Sequence, residues 1–250
     1  MNIVAAIKRV PTTEATAKVG ADGKSLDQAG WQYMASFYDE IAVEAALQAK
    51  EKHGGSVTVL TLGPSDASKE LREFLARGAD AATILKDADP SSRDALSTAK
   101  ALGAKIKALG ADVAFFGKVA TDRDNAAVGA MVGTLLGWAT VTDVVALELS
   151  PAGGKARRET EHGVETIEFA LPAVITCSKG LCEPRRSNLK GIMAAKSKAI
   201  PEESFESAPS QQVVVKVELP PARKAGRIVG EGAGAVPALM DALKNEAKIL

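Results

Sequence analysis

Cysteine is scarce in this chain: 250 residues carry only Cys177 and Cys182, with four residues between them. Two thiols cannot complete a tetrahedral zinc site, and no histidine lies near in sequence, so both read as reduced packing or loop residues. Histidine is equally rare. His53 falls at an expected helix C-terminus, where the dipole favours it, and His162 falls in the expected hairpin turn Glu161-His162-Gly163. Neither has an evident nucleophile beside it, which points away from acid–base catalysis and towards binding or electron carriage. An excess of one charge is also missing, because Lys plus Arg and Asp plus Glu number 31 each. That balance excludes a global field for gathering nucleic acid or a membrane surface. No apolar run reaches the ~18 residues of a membrane-spanning helix. The start, Met1-Asn2-Ile3-Val4-Ala5-Ala6-Ile7, is too short and too strand-like for a secretory signal. A cytoplasmic protein without nucleic-acid partners or direct membrane insertion is expected.

What is present is an ordinary soluble composition, 46% hydrophobic and 25% charged. It has the length of one large α/β domain with extensions. Strand and helix signals alternate through the first 145 or so residues. Strands are expected at Ile3–Ile7, Ser56–Leu62, Thr83–Leu85, Val113–Phe116 and Thr140–Leu149. Helices are expected at Asp39–His53, after Gly63-Pro64 with Ser65 as N-cap, at Ser92–Leu109 and at Thr121–Leu136. Residues 8–38 read as irregular. Gly129 and Gly133 lie one turn apart, which permits close approach to a neighbour. Lys155–Thr160 and Val164–Phe169 flank a hairpin turn, and Ala173–Cys177 is a further buried strand. These elements predict a Rossmann-like, mostly parallel sheet flanked by helices, with an antiparallel hairpin. Beyond Ala199, prolines punctuate a chain with little amphipathic pattern until a last helix near 236–249. That extended C-terminal arm is hard to stabilise alone and is expected to lie across a partner or stay disordered.

Three stretches could carry function. Gly117-Lys118-Val119-Ala120-Thr121-Asp122-Arg123-Asp124-Asn125 follows an apolar strand and opens a helix, the place where open α/β sheets hold ligands. Free N–H groups there could hold a phosphate, with Lys118 or Arg123 adding charge; the plainer alternative is a loop capped by Asp122. Gly230-Glu231-Gly232-Ala233-Gly234 follows no strand that opens a βαβ unit and reads as a linker. Lys179 to Met193 leaves a buried strand, breaks regular structure with Gly180 and Pro184, and carries Leu181, Leu189, Ile192 and Met193 into a polar loop. A polar loop tipped with large apolar groups is a docking surface.

Taken with the rest of the chain, these segments resemble the beta (small) subunit of electron transfer flavoproteins. The resemblance rests on Ala6-Ile7-Lys8-Arg9-Val10, Glu40-Ile41-Ala42-Val43-Glu44-Ala45-Ala46, Gly63-Pro64 and Arg77-Gly78-Ala79-Asp80. It continues through Gly117 to Asp124, Gly129, Leu171-Pro172-Ala173-Val174, and Glu183-Pro184-Arg185 with Leu189 and Ile192. It implies a heterodimer with a larger alpha subunit and one FAD held mainly by that partner. It also implies a buried, structural AMP on this chain. Carried over, AMP would contact Ala6, Ser36, Phe37, Tyr38, Asp39, Leu62, Gly117, Lys118, Val119, Ala120, Thr121, Asp122, Arg123, Asp124, Asn125, Ala126, Ala127 and Val128. The flavin edge would face Phe37-Tyr38. Glu183, Pro184, Arg185, Leu189, Ile192 and Met193 would meet partners, with Leu189 as apolar anchor, and Glu159 would sit at a subunit and domain interface.

On this resemblance the chain is a non-enzymatic carrier subunit. Electrons would come from flavoprotein dehydrogenases such as acyl-CoA dehydrogenase and leave to a quinone oxidoreductase. Residues 1–199 would form the nucleotide-binding domain, including the recognition loop 177–199, and 200–250 the arm that packs on the alpha subunit. The chain departs from the family at Ala35-Ser36-Phe37-Tyr38, where Met-Asn-Pro-Phe is frequent. Bifurcating relatives, which carry a second FAD in place of AMP, tend to have Gly and Thr where this chain has Arg123 and Asn125, and Pro at Ala130. Arg123 narrows the space a flavin dinucleotide needs, which favours AMP. A bifurcating subunit and a stand-alone nucleotide-binding domain are the alternatives.

Overall fold

The computed structural model describes residues 1–223 and 225–250; Lys224, inside the proline-punctuated arm, lies outside them. The chain divides into two compact units, one of Met1–Thr16 with Gln28–Val215, the other of Ala17–Asp27 with Lys216–Leu250.

The first unit is built on alternating strands and helices. β1 (Asn2–Ile7) is followed by the short strands β2 (Arg9–Pro11) and β3 (Tyr33–Ala35), then α1 (Phe37–His53). β4 (Ser56–Gly63), α2 (Ser68–Arg77), β5 (Ala81–Lys86), α3 (Ala95–Ala108) and β6 (Val113–Gly117) come next. α4 (Val128–Leu136) leads into β7 (Ala139–Ser150), β8 (Gly153–Thr160), β9 (Gly163–Ala170) and β10 (Ala173–Cys177). α5 (Leu189–Ser197) and β11 (Glu202–Glu203) complete the unit.

The strands form one sheet in the order β11-β5-β4-β1-β6-β10-β7-β8-β9. Neighbours are parallel from β11 to β7, and β7, β8 and β9 continue as an antiparallel meander. Period-2 alternation distributes each strand between two cores. On β1, Ile3, Ala5 and Ile7 join Ile41 of α1 and Phe74 of α2. Val4 and Ala6 join Ile106 of α3 and Val132 of α4 on the other side. The result is a three-layer sandwich whose continuous apolar strands are buried on both faces, as the sequence predicts. Gly129 and Gly133 mark the close approach: a Cβ at Gly129 would lie 2.8 Å from Thr176 Cγ2, and one at Gly133 would overlap Thr140.

Several local expectations are corrected. Residues 8–38 contain the antiparallel β2–β3 ribbon, and α1 begins at Phe37, two residues early, with no side-chain cap from Ser36. Ser65 caps nothing; it opens a 3-10 turn, and its hydroxyl donates to Glu202 at 2.9 Å. α3 starts at Ala95, where the Asp94 carboxylate accepts from Ser97 N at 2.7 Å. The helix expected from Thr121 starts only at Val128, because Asp124 and Ala126 adopt left-handed φ values of 50° and 48°. Asp122 therefore caps no helix. The arm after Cys177 is not wholly a loop, since it contains α5, capped by Asn188 with Gly191 N donating at 2.8 Å. The start of the C-terminal segment is tied to the sheet: Glu202 and Glu203 pair with Ile84 and Leu85, and Phe205 packs on the apolar cluster beneath α3.

In the second unit, Val19 and Leu26 form an isolated antiparallel bridge and Val217 N donates to Gly23 O at 2.9 Å. Its helix α6 (Val236–Asp241) runs into a π-helical stretch, Ala242–Ala247.

Candidate functional site

β1 sits between β4, reached next within the main sheet, and β6, reached later, so the strand order reverses between β1 and β6. Ligand crevices form beyond the carboxyl ends of strands at such a reversal. Ala6 lies near that end of β1, Leu62 near that end of β4, and Gly117 at that end of β6. The loop 118–127 follows directly. The residues expected to share a nucleotide are thus brought to one end of one sheet.

The buried Asp39 carboxylate ties the chain together at this reversal. It accepts from Lys8 N at 2.7 Å through Oδ2 and from Gly117 N at 2.9 Å through Oδ1, bridging the two strands at the reversal. Burial pushes its pKa up to about 7, against the pull of the two backbone donors. Ser36, fully buried, holds the loop from the same junction: its hydroxyl donates to Val119 O at 3.4 Å and accepts from Thr121 N at 3.3 Å. Lys118 N donates to Cys177 O at 2.8 Å, pinning the loop to β10.

The cations around the loop are already engaged. Lys8 Nζ pairs with Asp122 at 2.7 Å, and Lys118 Nζ with Asp143 at 2.6 Å. The Asp143 contact raises the Lys118 pKa above its ordinary value. Arg123 Nη2 donates to Ser91 O at 3.0 Å. Asp143 itself stands at φ 59° beside a register shift in the β10–β7 pairing. The helix start at Val128 has Ala127 at its N-cap position and no side-chain cap bond. The first N–H groups of a helix have no intrahelical acceptors, and here no side chain substitutes for one. A phosphate is the chemistry such a start accepts. Leu62 and Val128, half-buried at the fringe of the α3–α4 core, supply apolar surface beside it.

Thr121 to Ala126 are exposed, Lys118 to Ala120 half-buried, Phe37 exposed and Tyr38 half-buried. Phe37 and Tyr38 stack edge to face at 5.4 Å between centroids. Glu159, exposed on β8, adds to the rise in the Lys118 pKa that Asp143 chiefly causes.

The arm leaves the same sheet end through Ser178 N, which donates to Val144 O at 2.9 Å. Its helix α5 packs on α2: a Cβ at Gly191 would overlap Ala76 O, so only glycine permits this approach. Arg72 Nη1 holds the C-terminal turn of α5 at Ala195 O, 2.6 Å away. Among the residues α5 leaves outside, beside the exposed Lys190 and Lys196, are three large apolar ones: Leu189 is 76% exposed, Met193 57% and Ile192 41%. These positions are i, i+3 and i+4 and form one stripe. Glu183 is exposed and Pro184 half-buried. Arg185 turns inward to Glu44 and Glu51 of α1. The sequence marks the Glu44–Arg185 contact only by a carboxylate inside an Ala/Val/Leu helix face.

Comparison with known proteins decides the family. The Electron transfer flavoprotein domain family matches residues 27–208. The chain is 34% identical to the Electron transfer flavoprotein subunit beta of Bacillus subtilis (strain 168), covering 100% of each. It belongs to the electron transfer flavoprotein beta-subunit family. The mitochondrial beta subunit of Oryza sativa subsp. japonica is 38% identical over 100% of both chains. That of Mycobacterium tuberculosis (strain ATCC 25618 / H37Rv) is 39% identical over 80% of this chain and 77% of its own. Family membership makes this a flavoprotein subunit of electron transport. Among the described residues no helix is long and apolar enough to cross a membrane, and no group of three or more His, Cys, Asp or Glu could hold a metal ion.

The buried Asp39 carries a testable consequence. Its folded-state pKa of about 7 lies above the ordinary 3.8, so the folded chain keeps this proton longer than the unfolded chain does. The stability contributed by protonation is full below the ordinary carboxylate value and is lost as pH rises through about 7. Urea midpoints of the wild type and Asp39→Asn, measured at pH 5.5 and 8, should show a wild-type decline that the variant lacks. Equal pH dependence in both would remove Asp39 as its source.

Proposed function

We propose that this chain is the beta subunit of a heterodimeric electron transfer flavoprotein that binds AMP at the β1–β6 reversal and shares one FAD with a larger alpha subunit. The observation that carries the AMP reading is the uncapped start of α4, reached by the loop that leaves the β1–β6 reversal bridged by Asp39, with Lys8 and Lys118 internally paired. The phosphate would be held by the N–H groups of Val128 and the preceding loop, and the base would lie against Leu62 and Ala6. Ser36 and Asp39 hold the loop in place without needing to touch the nucleotide.

FAD supplies the electron-carrying chemistry when bound. This chain's share is to support the flavin domain, with Phe37, Tyr38 and Glu159 towards it, and to present the docking stripe on α5. Flavoprotein dehydrogenases such as acyl-CoA dehydrogenase would receive Leu189 in an apolar pocket, and a quinone oxidoreductase would take the electrons onward. The chain itself is not an enzyme on this reading. Residues 1–199 are the platform and 200–250 the arm that packs on the alpha subunit. Val213, Val215, Ile228, Ile249 and Leu250, each more than half exposed, support that role for the arm.

Nucleotides extracted from the co-purified heterodimer test the reading. One FAD and one AMP per heterodimer are expected. Two FAD and no AMP would transfer the chain to the bifurcating type, and an empty β1–β6 crevice would overturn the AMP assignment.

A further inference from the structure

Arg185 lies in the arm between β10 and α5, three residues before the N-cap of the docking helix, yet its side chain does not face outward. Its backbone N and its Nε donate to Glu44 Oε2 at 3.1 and 2.8 Å, and its Nη2 donates to Glu44 Oε1 at 2.9 Å. The same guanidinium reaches Glu51, with Nη2 donating to Oε2 at 3.0 Å and Nη1 paired to Oε1. Gln48 Nε2 adds a bond to Glu44 Oε1 at 2.9 Å. Glu44, Gln48 and Glu51 are i, i+4 and i+7 on α1 and so form a single stripe. Nearby, the Cys182 thiol donates to Ile41 O at 3.5 Å.

A carboxylate with only 5% of its side chain exposed is costly to bury unless it is paired and fully hydrogen-bonded. Burial alone would raise the Glu44 pKa, but the Arg185 and Gln48 bonds outweigh it and hold the carboxyl below its usual range. A planar guanidinium spanning two carboxylates fixes position and direction together, which a lysine cannot do. α1 is also the helix whose first turn carries Asp39, so one rigid element mounts both the nucleotide loop and the entry to α5.

We infer that Glu44, acting through Arg185, is a positioning residue for partner docking: the pair sets where the chain enters α5 and hence where Leu189, Ile192 and Met193 stand. This rests on the reading of α5 as the docking helix. Removing the Glu44 charge should leave α5 folded on α2, through Arg72 and Gly191, but free to shift at its N-terminal end. The apolar tip would then meet its pocket less often in the right place.

The test uses the FAD-loaded heterodimer with an acyl-CoA dehydrogenase as electron donor. Glu44→Gln should raise the KM for the heterodimer about fivefold or more, the low end of couplings between linked sites. Maximal rate, FAD content and AMP content should hold. In the Leu189→Ala background the same substitution should raise the KM by a smaller factor, because the main anchor it positions is gone and only Ile192 and Met193 remain. A merely structural Glu44 would lower stability equally in both backgrounds and leave the KM alone. Should Glu44→Gln not fold, Arg185→Lys reads the same point, since lysine keeps the charge and loses the fork. An unchanged KM in the folded variant overturns the inference. If Leu189→Ala itself leaves the KM unchanged, the docking reading fails instead.

Discussion

Leu189→Ala is expected to raise the KM of the heterodimer for its dehydrogenase roughly tenfold to a hundredfold. Leu189 stands 76% exposed at the first position of α5, so the fold gains little from it. Buried in a partner's pocket, a leucine side chain is worth about 1.5–3 kcal/mol, and each 1.4 kcal/mol is about tenfold in affinity. The loss should fall on docking alone. Thermal stability, FAD content and the intrinsic flavin spectrum should match the wild type. Steady-state kinetics with varied heterodimer concentration measure the effect, and a change in FAD content with normal docking would contradict the assignment of this helix. Ile192→Ala and Met193→Ala should follow the same direction with smaller effects, being less exposed before docking.

The second large effect is expected at Gly117. A Cβ there would meet Asp39 N and Tyr38 C at 2.8 Å and would overlap the Asp39 carboxylate. These are backbone atoms at the first turn of α1 and the carboxylate that bridges β1 and β6, so nothing nearby can yield cheaply. Forcing a methyl into packed surroundings costs about 1–3 kcal/mol. Gly117→Ala should lower the urea unfolding free energy by about that much. It should also displace the loop that leads to the start of α4. A hydrogen bond to a charged group is worth about 1.5–3 kcal/mol, so losing one would cut AMP retention roughly tenfold to a hundredfold. Urea denaturation and nucleotide content of the purified heterodimer read the two effects separately. Full AMP content in a destabilised Gly117→Ala would show that the nucleotide does not use this loop.

Much of the framework was legible because parallel strands buried on both faces announce themselves as apolar runs, as in Val113–Phe116 and Ala173–Cys177. The turn at Glu161-His162-Gly163 likewise marked its hairpin by glycine chemistry, with Gly163 at φ 132°. The β2–β3 ribbon was not legible, since two three-residue strands joined by a long loop leave no periodic pattern. α4 misled for a physical reason. Thr121-Asp122 has the composition of a helix start, while the left-handed backbone at Asp124 and Ala126 is invisible in non-glycine residues. β11 is two glutamates on a sheet edge, fixed by Lys86 and Lys105 ion pairs that only the fold brings near. In the candidate site the loop and its sheet end were readable. The roles of Asp39 as a bridge and Glu44 as a clamp were not, because each depends on partners 31 to 141 residues away.

The central claim is that this chain is a nucleotide-binding platform whose prosthetic flavin comes from a second polypeptide. Absorption spectra and electron-acceptance assays on the chain purified alone, and on the chain co-expressed with its alpha subunit, test it most directly. A colourless isolated chain without turnover, and a yellow heterodimer reduced by a flavoprotein dehydrogenase, are predicted. An isolated chain that holds flavin stoichiometrically or turns over a substrate by itself would contradict the account.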